Sequence, residues 1–269
     1  MAEDPRAAIK NGELDEALEL AQAAARSAPA DSKHRVLLFQ LYAIFGDWNR
    51  SLRQLEIVSD LDPNAELMAR TYRQLLACEA VRQDVFSGKR APLGMGQPEA
   101  WFGMLIEALR LDGSAEPMAA KAMRDQAFEA ADTTPGTLNG EPFDWIADGD
   151  ERLGPCVEAI INGRYFWIPV ERLKSVEVTA PEDLRDLVWL PTNLTFAHEG
   201  KTVAFIPARY PASEDSSDPL IRLARKTEWE ESSAGGYRGV GQRMLATDLG
   251  ETPIMEIREI LLNSKPADG

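Results

Sequence analysis

Residues 155–170 read PCVEAIINGRYFWIPV. Two short apolar runs rich in isoleucine and aromatic residues flank Asn162-Gly163, a dipeptide that accepts the positive φ angles of a two-residue hairpin turn. An antiparallel hairpin is predicted here, with Tyr165, Phe166 and Trp167 alternating between its faces. Residues 187–211, LVWLPTNLTFAHEGKTVAFIPARYP, repeat the theme around Glu199-Gly200. Further strands are expected in KTEWEES (226–232), YRGVGQRMLATD (237–248) and PIMEIREILL (253–262), and single helical turns in PEDLRD (181–186) and PLIRLARK (219–226). The expectation for residues 134–269 is a β-rich domain, either a small antiparallel barrel or a strongly bent sheet.

Upstream of the turn-rich segment TTPGTLNGEP (133–142), which reads as a linker, the pattern changes. Residues 1–133 are rich in alanine and leucine, and a shift of 34 residues aligns Gly12 with Gly46, Glu13 with Asp47, Leu18 with Leu52 and Pro29 with Pro63. The same shift aligns Gln40 with Gln74, Leu41 with Leu75 and Ala43 with Ala77. That period is the one of tetratricopeptide repeats, in which a glycine turns the chain between paired helices and a proline stops the second. Leu37, Leu38, Leu41, Tyr42 and Phe45 give one helix an apolar face, and Leu52, Leu55 and Val58 another. Asp4-Pro5 reads as an N-cap with proline at the first helical position, opening a helix of about two turns. A longer helix is predicted from about Asn64 to Phe86, and a last helical hairpin around Gly113. The fold class expected is α+β, a tetratricopeptide-like helical domain over 1–133 followed by the β-rich domain over 134–269.

The net charge is −15, and it is shared: 21 acidic against 15 basic residues in 1–133, and 23 against 14 in 134–269. Neither half offers a basic patch for a phosphate backbone, so nucleic acid is not an expected partner. No long apolar run or leader-like start is found, which predicts no membrane partner and a cytoplasmic location. Cys78 and Cys156 lack neighbours at metal spacing and are expected to be reduced thiols.

A search for chemistry returns little. His34 and His198 have no companion at ligand spacing, and no G-x-S-x-G elbow occurs. GGYRGVGQ lacks the lysine of a phosphate loop and the last glycine of a dinucleotide fingerprint, so it reads as a bulged strand or hairpin. The segment EPFDWIADGDERLGP (141–155) holds Asp148, Asp150 and Glu151, whose oxygens could take a hard cation. Arg152 and Leu153, however, stand where a calcium loop needs an oxygen ligand and a glycine. The expected reading is an ordered turn fixed by Arg152, with Trp145 and Leu153 anchored in a core and Asp148, Asp150 and Arg152 at the surface. No catalytic, cofactor or metal residue is assigned.

The segments FDWIADGDERLGP, EAIINGRYFWIPVERLKSVEV, PEDLRDLVWLP, VAFIPARYP, RKTEW and GQRMLATD, in this order behind a degenerate helical repeat, resemble the ImpE or TagJ family of type VI secretion accessory proteins. The resemblance covers nearly the whole chain. It implies a non-enzymatic cytoplasmic adaptor without a cofactor. Its implied partners are the small contractile-sheath subunit of TssB type, bound through a helix, and the ClpV-type AAA+ unfoldase that recycles contracted sheath. On the repeat pattern, Lys33, Gln40 and Ala43 on one helix and Leu67, Arg70, Gln74 and Ala77 on the next would line the groove for that helix. The alternative is that this face packs against the chain's own second half, since an apolar stripe does not distinguish the two. Competing readings of the whole are a metal-dependent or small-molecule enzyme using the Asp148/Asp150 turn, and a dimeric structural scaffold.

Overall fold

The computed structural model describes residues 4–233 and 235–264. Asp4 accepts a hydrogen bond from the Arg6 amide and Pro5 takes the first helical position, opening α1 (Pro5–Asn11). There follow α2 (Leu14–Ser27), α3 (Ser32–Ile44), capped by Asp31, and α4 (Trp48–Leu61), capped by Asp47. Gly12 and Gly46, the repeat-related pair, adopt φ +85° and +70° and reverse the chain after α1 and α3. This left-handed region is where glycine spares the steric cost of a Cβ. Pro63 opens a short 3₁₀ turn that leads into α5 (Glu66–Phe86), the longest helix of the set, and α6 (Ala100–Gly113) then packs against α7 (Pro117–Ala130).

The strands are β1 (Gly136–Leu138), β2 (Glu141–Phe143), β3 (Ile146–Asp148), β4 (Cys156–Ile161), β5 (Arg164–Pro169), β6 (Leu173–Val178), β7 (Trp189–Phe196) and β8 (Lys201–Pro207). After the short α8 (Pro219–Arg222) come β9 (Thr227–Glu231), β10 (Tyr237–Gly241), β11 (Met244–Thr247), β12 (Gly250–Pro253) and β13 (Glu259–Leu262). Eight of them form one antiparallel sheet in the order β2-β1-β13-β6-β7-β8-β4-β5, beside a β9–β10 ribbon and a three-stranded β12-β11-β3 sheet. The hairpin at 155–170 forms as read, β4 against β5, with Asn162 at φ +50° and Gly163 at +71°.

Two expectations are corrected. The sheet does not close into a barrel, because its end strands β2 and β5 do not pair with each other. The free side of β5 is met instead by Leu93, whose carbonyl accepts from the Trp167 amide at 2.9 Å, and β2 carries Pro142, which has no amide hydrogen to offer. The supposed linker 133–142 is itself a hairpin: Asn139-Gly140 turns β1 into β2, and β1 is hydrogen-bonded to β13.

One hydrophobic cluster joins the helices to a face of the sheet, uniting Phe39, Leu41, Tyr72, Leu75 and Phe102 with Ile160, Tyr165, Trp167 and Trp189. The other sheet face, with Phe166, Ile168, Leu190, Leu194 and Ile206, packs against Ile146, Leu245 and Ile257. The three consecutive aromatics of β5 thus divide between the two faces as alternation requires.

Candidate functional site

The turn at 148–154 inverts its expected orientation. Trp145 is 39% exposed, whereas Asp150 is fully buried and Asp148 and Arg152 are buried beside it; only Leu153 lies where the sequence reading put it. The reason is the density of partners around the turn. Asp148 accepts from the Asp150 amide at 2.9 Å and pairs with Arg243. Asp150 takes the Arg152 guanidinium at 2.5 Å and the Gly239 amide of β10 at 3.1 Å. Arg152 in turn stacks over the Phe86 ring, 4.9 Å from its centroid. Trp229 abuts Gly149 and Phe128 of α7 abuts Gly154, so the turn is clasped from both sides.

From Asp148 a chain of charges crosses into the helices. Arg243 bridges Asp148 and Glu158, a glutamate in the middle of the apolar strand β4. Glu158 also receives Arg82 of α5 and the Tyr165 hydroxyl at 2.7 Å, and that hydroxyl accepts from the Trp167 indole at 2.8 Å. Arg82 donates to the Arg209 carbonyl at 2.7 Å and lies 3.6 Å from Glu79, whose carboxylate accepts from the Trp189 indole at 2.6 Å. Arg209 sends its own guanidinium to the carbonyls of Ile44 at 2.9 Å and Ala43 at 3.3 Å, where α3 ends. Formally, Glu79, Asp148, Asp150 and Glu158 balance Arg82, Arg152, Arg209 and Arg243, all of them buried. Desolvated charges persist only when paired or hydrogen-bonded; seven of these eight face an opposite charge, and Arg209 is held by backbone carbonyls instead.

Burial opposes ionisation throughout, and the partners decide the outcome. At Glu158 the burial penalty is outweighed by Arg82 and Arg243, which hold its carboxyl below the ordinary value. At Asp150 the Arg152 guanidinium likewise outweighs burial. At Asp148 burial prevails over Arg243 and pushes the carboxyl up to about 6. Burial also raises both thiols, Cys78 to about 11 and Cys156 well above the ordinary thiol value. Asp148 and Asp150 are thus each engaged by guanidinium and amide hydrogens, while Glu151 faces the Arg124 guanidinium at 3.4 Å. Among the described residues no group of three or more His, Cys, Asp or Glu side chains is placed to hold a metal ion.

The sequence reading missed Glu79, Arg82, Glu158, Arg209 and Arg243. Three of them carried a signal: Tyr72, Leu75, Glu79, Arg82 and Phe86 follow helical spacing, so Glu79 and Arg82 interrupt an apolar stripe where only a partner could satisfy them. Glu158 likewise interrupts CVEAII.

The residues suggested for a partner groove separate. Leu67, Arg70, Gln74 and Ala77 lie together on the outer face of α5, all exposed, with Leu67 at 71%. Lys33 is exposed at the start of α3, while Gln40 and Ala43 are buried. The opposite face of α5 meets the sheet, with Tyr72 5.9 Å from Trp189 and 6.1 Å from Phe205 between ring centroids, and Phe86 5.4 Å from Trp167. Gln74 borders the sheet as well, its side chain lying against Gly163 of the β4–β5 turn.

Fold and site together define an α+β protein whose helices are bolted to an open antiparallel sheet by a buried charge network. Residues 140–261 match the ImpE protein family. The type VI secretion system accessory component TagJ of Pseudomonas aeruginosa is 46% identical over 260 residues, spanning 97% of this chain and 90% of that one. The chain belongs to the ImpE/TagJ family. The crystal structure of protein VPA1032 from Vibrio parahaemolyticus shares the fold, with a TM-score of 0.88 at 24% identity over 97% of this chain and 98% of that one. Among the described residues no helix is long and apolar enough to cross a membrane.

Proposed function

We infer that the chain is a non-enzymatic, cytoplasmic accessory protein of a bacterial type VI secretion system that binds the small sheath subunit through a helix. The observation that carries the accessory role is the 46% identity to TagJ across nearly the whole chain. The surface proposed for the contact is the outer face of α5, where Leu67, Arg70, Gln74 and Ala77 present one apolar anchor, a positive charge and an amide at helical spacing. An amphipathic helix can lie along such a face, as helix-in-groove recognition does. Lys33 would flank it, and Gln40 and Ala43, which are buried, would act from behind as part of the tetratricopeptide-like repeat we propose for the helices. The sheet, tied to α5 through Glu158 and Trp189, would hold that helix rigid, and the ClpV-type unfoldase would supply all catalysis.

The test is co-purification of the full chain with the intact small sheath subunit and with a version lacking its helical segment. Binding to the first and not to the second is expected; equal recovery of both overturns helix recognition.

A further inference from the structure

The β9–β10 ribbon leaves one strand edge open. The Gly239 amide donates to Asp150 at 3.1 Å and the Gly241 amide to the Ser213 hydroxyl at 2.7 Å, so both point away from β9. Gly239 pairs with Trp229 and Gly241 with Thr227 across the ribbon. In an antiparallel pair such opposed residues turn their amide and carbonyl groups outward on both strands. Thr227, Trp229 and, two further along, Glu231 therefore direct their backbone groups to the outer side of β9, where no strand among the described residues pairs. Gly239 is locked in place, because a Cβ there would lie 2.1 Å from the Tyr210 ring, and Trp229 is wedged between Tyr210 and Gly149. The edge is thus pre-formed and backed by the fold.

Its side chains specify charge. Glu228 and Glu230 share one face of β9, and both are exposed together with Glu231. Lys226 engages Glu228 at 2.5 Å, and Arg238, opposite Glu230, turns to Asp112 at 3.2 Å. A second copy of this strand, paired antiparallel about Trp229, would set Glu228 against Glu230 of its neighbour, and like charges directly opposite are unfavourable. We propose that the outer edge of β9 receives an extended segment of a partner protein as an added strand, with Lys or Arg at alternate positions facing Glu228 and Glu230 and β-branched residues facing Trp229.

The test uses the full chain and two synthetic peptides, acetyl-Lys-Val-Lys-Val-Lys-amide and its Glu-for-Lys counterpart, with amide hydrogen exchange followed by NMR. The lysine peptide is expected to slow exchange at Thr227, Trp229 and Glu231 by about tenfold or more, leaving Glu228 and Glu230, already bonded to β10, nearly unchanged. Glu231→Pro, which removes one outward amide, is expected to weaken this protection. The double variant Glu228→Lys/Glu230→Lys is expected to transfer the preference to the glutamate peptide. Absence of selective slowing, an equal response to both peptides, or lysine preference retained in the double variant overturns the proposal. So does protection of the same amides by self-association without peptide.

Discussion

Arg82, on the helix α5, and Glu158, on the strand β4, form a buried ion pair between segments 76 residues apart in sequence. The pair fixes α5 against the sheet at one register, since Glu158 is also held by Arg243 and Tyr165 and Arg82 by the Arg209 carbonyl. Apolar contact alone would tolerate sliding; a saturated polar network does not.

Replacing Arg243 by methionine leaves both Asp148 and Glu158 short of a cation in a dry interior. Removing one partner of such a network typically costs about 3–5 kcal/mol, so the denaturation midpoint is expected to fall by a corresponding amount. A midpoint within error of the parent protein contradicts a structural role for the network.

Stability is expected to depend on pH through Asp148. Its folded value of about 6 lies above the 3.8 of a free aspartate, so its contribution is complete below about pH 4 and is lost as pH rises through 6. Glu158 and Asp150, shifted the other way, gain stability over the same range in the parent and in an Asp148→Asn variant, so the difference between the two reports the Asp148 charge together with its coupling to these neighbours. Urea unfolding of the two from pH 4 to pH 7 should show the parent losing ground to the variant. A constant difference refutes the raised value.

Arg209 anchors the end of α3. One of its terminal nitrogens serves both the Ile44 carbonyl at 2.9 Å and the Arg222 carbonyl at 2.6 Å, and the other reaches Ala43. Lysine keeps the charge without the planar fork, and Arg209→Lys is expected to destabilise by roughly 1–3 kcal/mol through the carbonyls left unpaired. Thermal unfolding measures it; a neutral outcome would mean that water replaces the guanidinium.

Divided at 133/134, the chain would strand Glu79 and Arg82 on one fragment and Glu158 and Trp189 on the other. Expressed separately, residues 1–133 and 134–269 are expected to lack cooperative unfolding, and mixing them should restore it if the interface directs assembly. Two independently cooperative fragments would show that the network is dispensable to each half.

What the sequence disclosed was local. The Asn162-Gly163 hairpin, the Asp4-Pro5 helix start and the turns at Gly12 and Gly46 depend on dihedral preferences that a few residues carry by themselves. Strand order and closure depend on which distant edges meet: Pro142 marks β2 as an edge by itself, but nothing within β1 announces that β13 pairs with it. The same distance hid the site. Asp148 and Asp150 read as a surface turn because their cations, Arg243 and Arg152, were one near and one 95 residues away. The exposed stripe of α5 was legible as helical spacing, whereas the burial of Gln40 and Ala43 follows from tertiary packing that periodicity does not encode.

The most direct measurement is the affinity of the full chain for the small sheath subunit before and after Arg70→Glu and Gln74→Glu are introduced together, with helical circular dichroism as the control. Both side chains are exposed on α5 and neither belongs to the buried network, so the fold should be unaffected. A loss of about tenfold or more in affinity with an unchanged spectrum is the expected result for a charge reversal within a contact surface. Unchanged affinity would contradict the placement of the partner on α5.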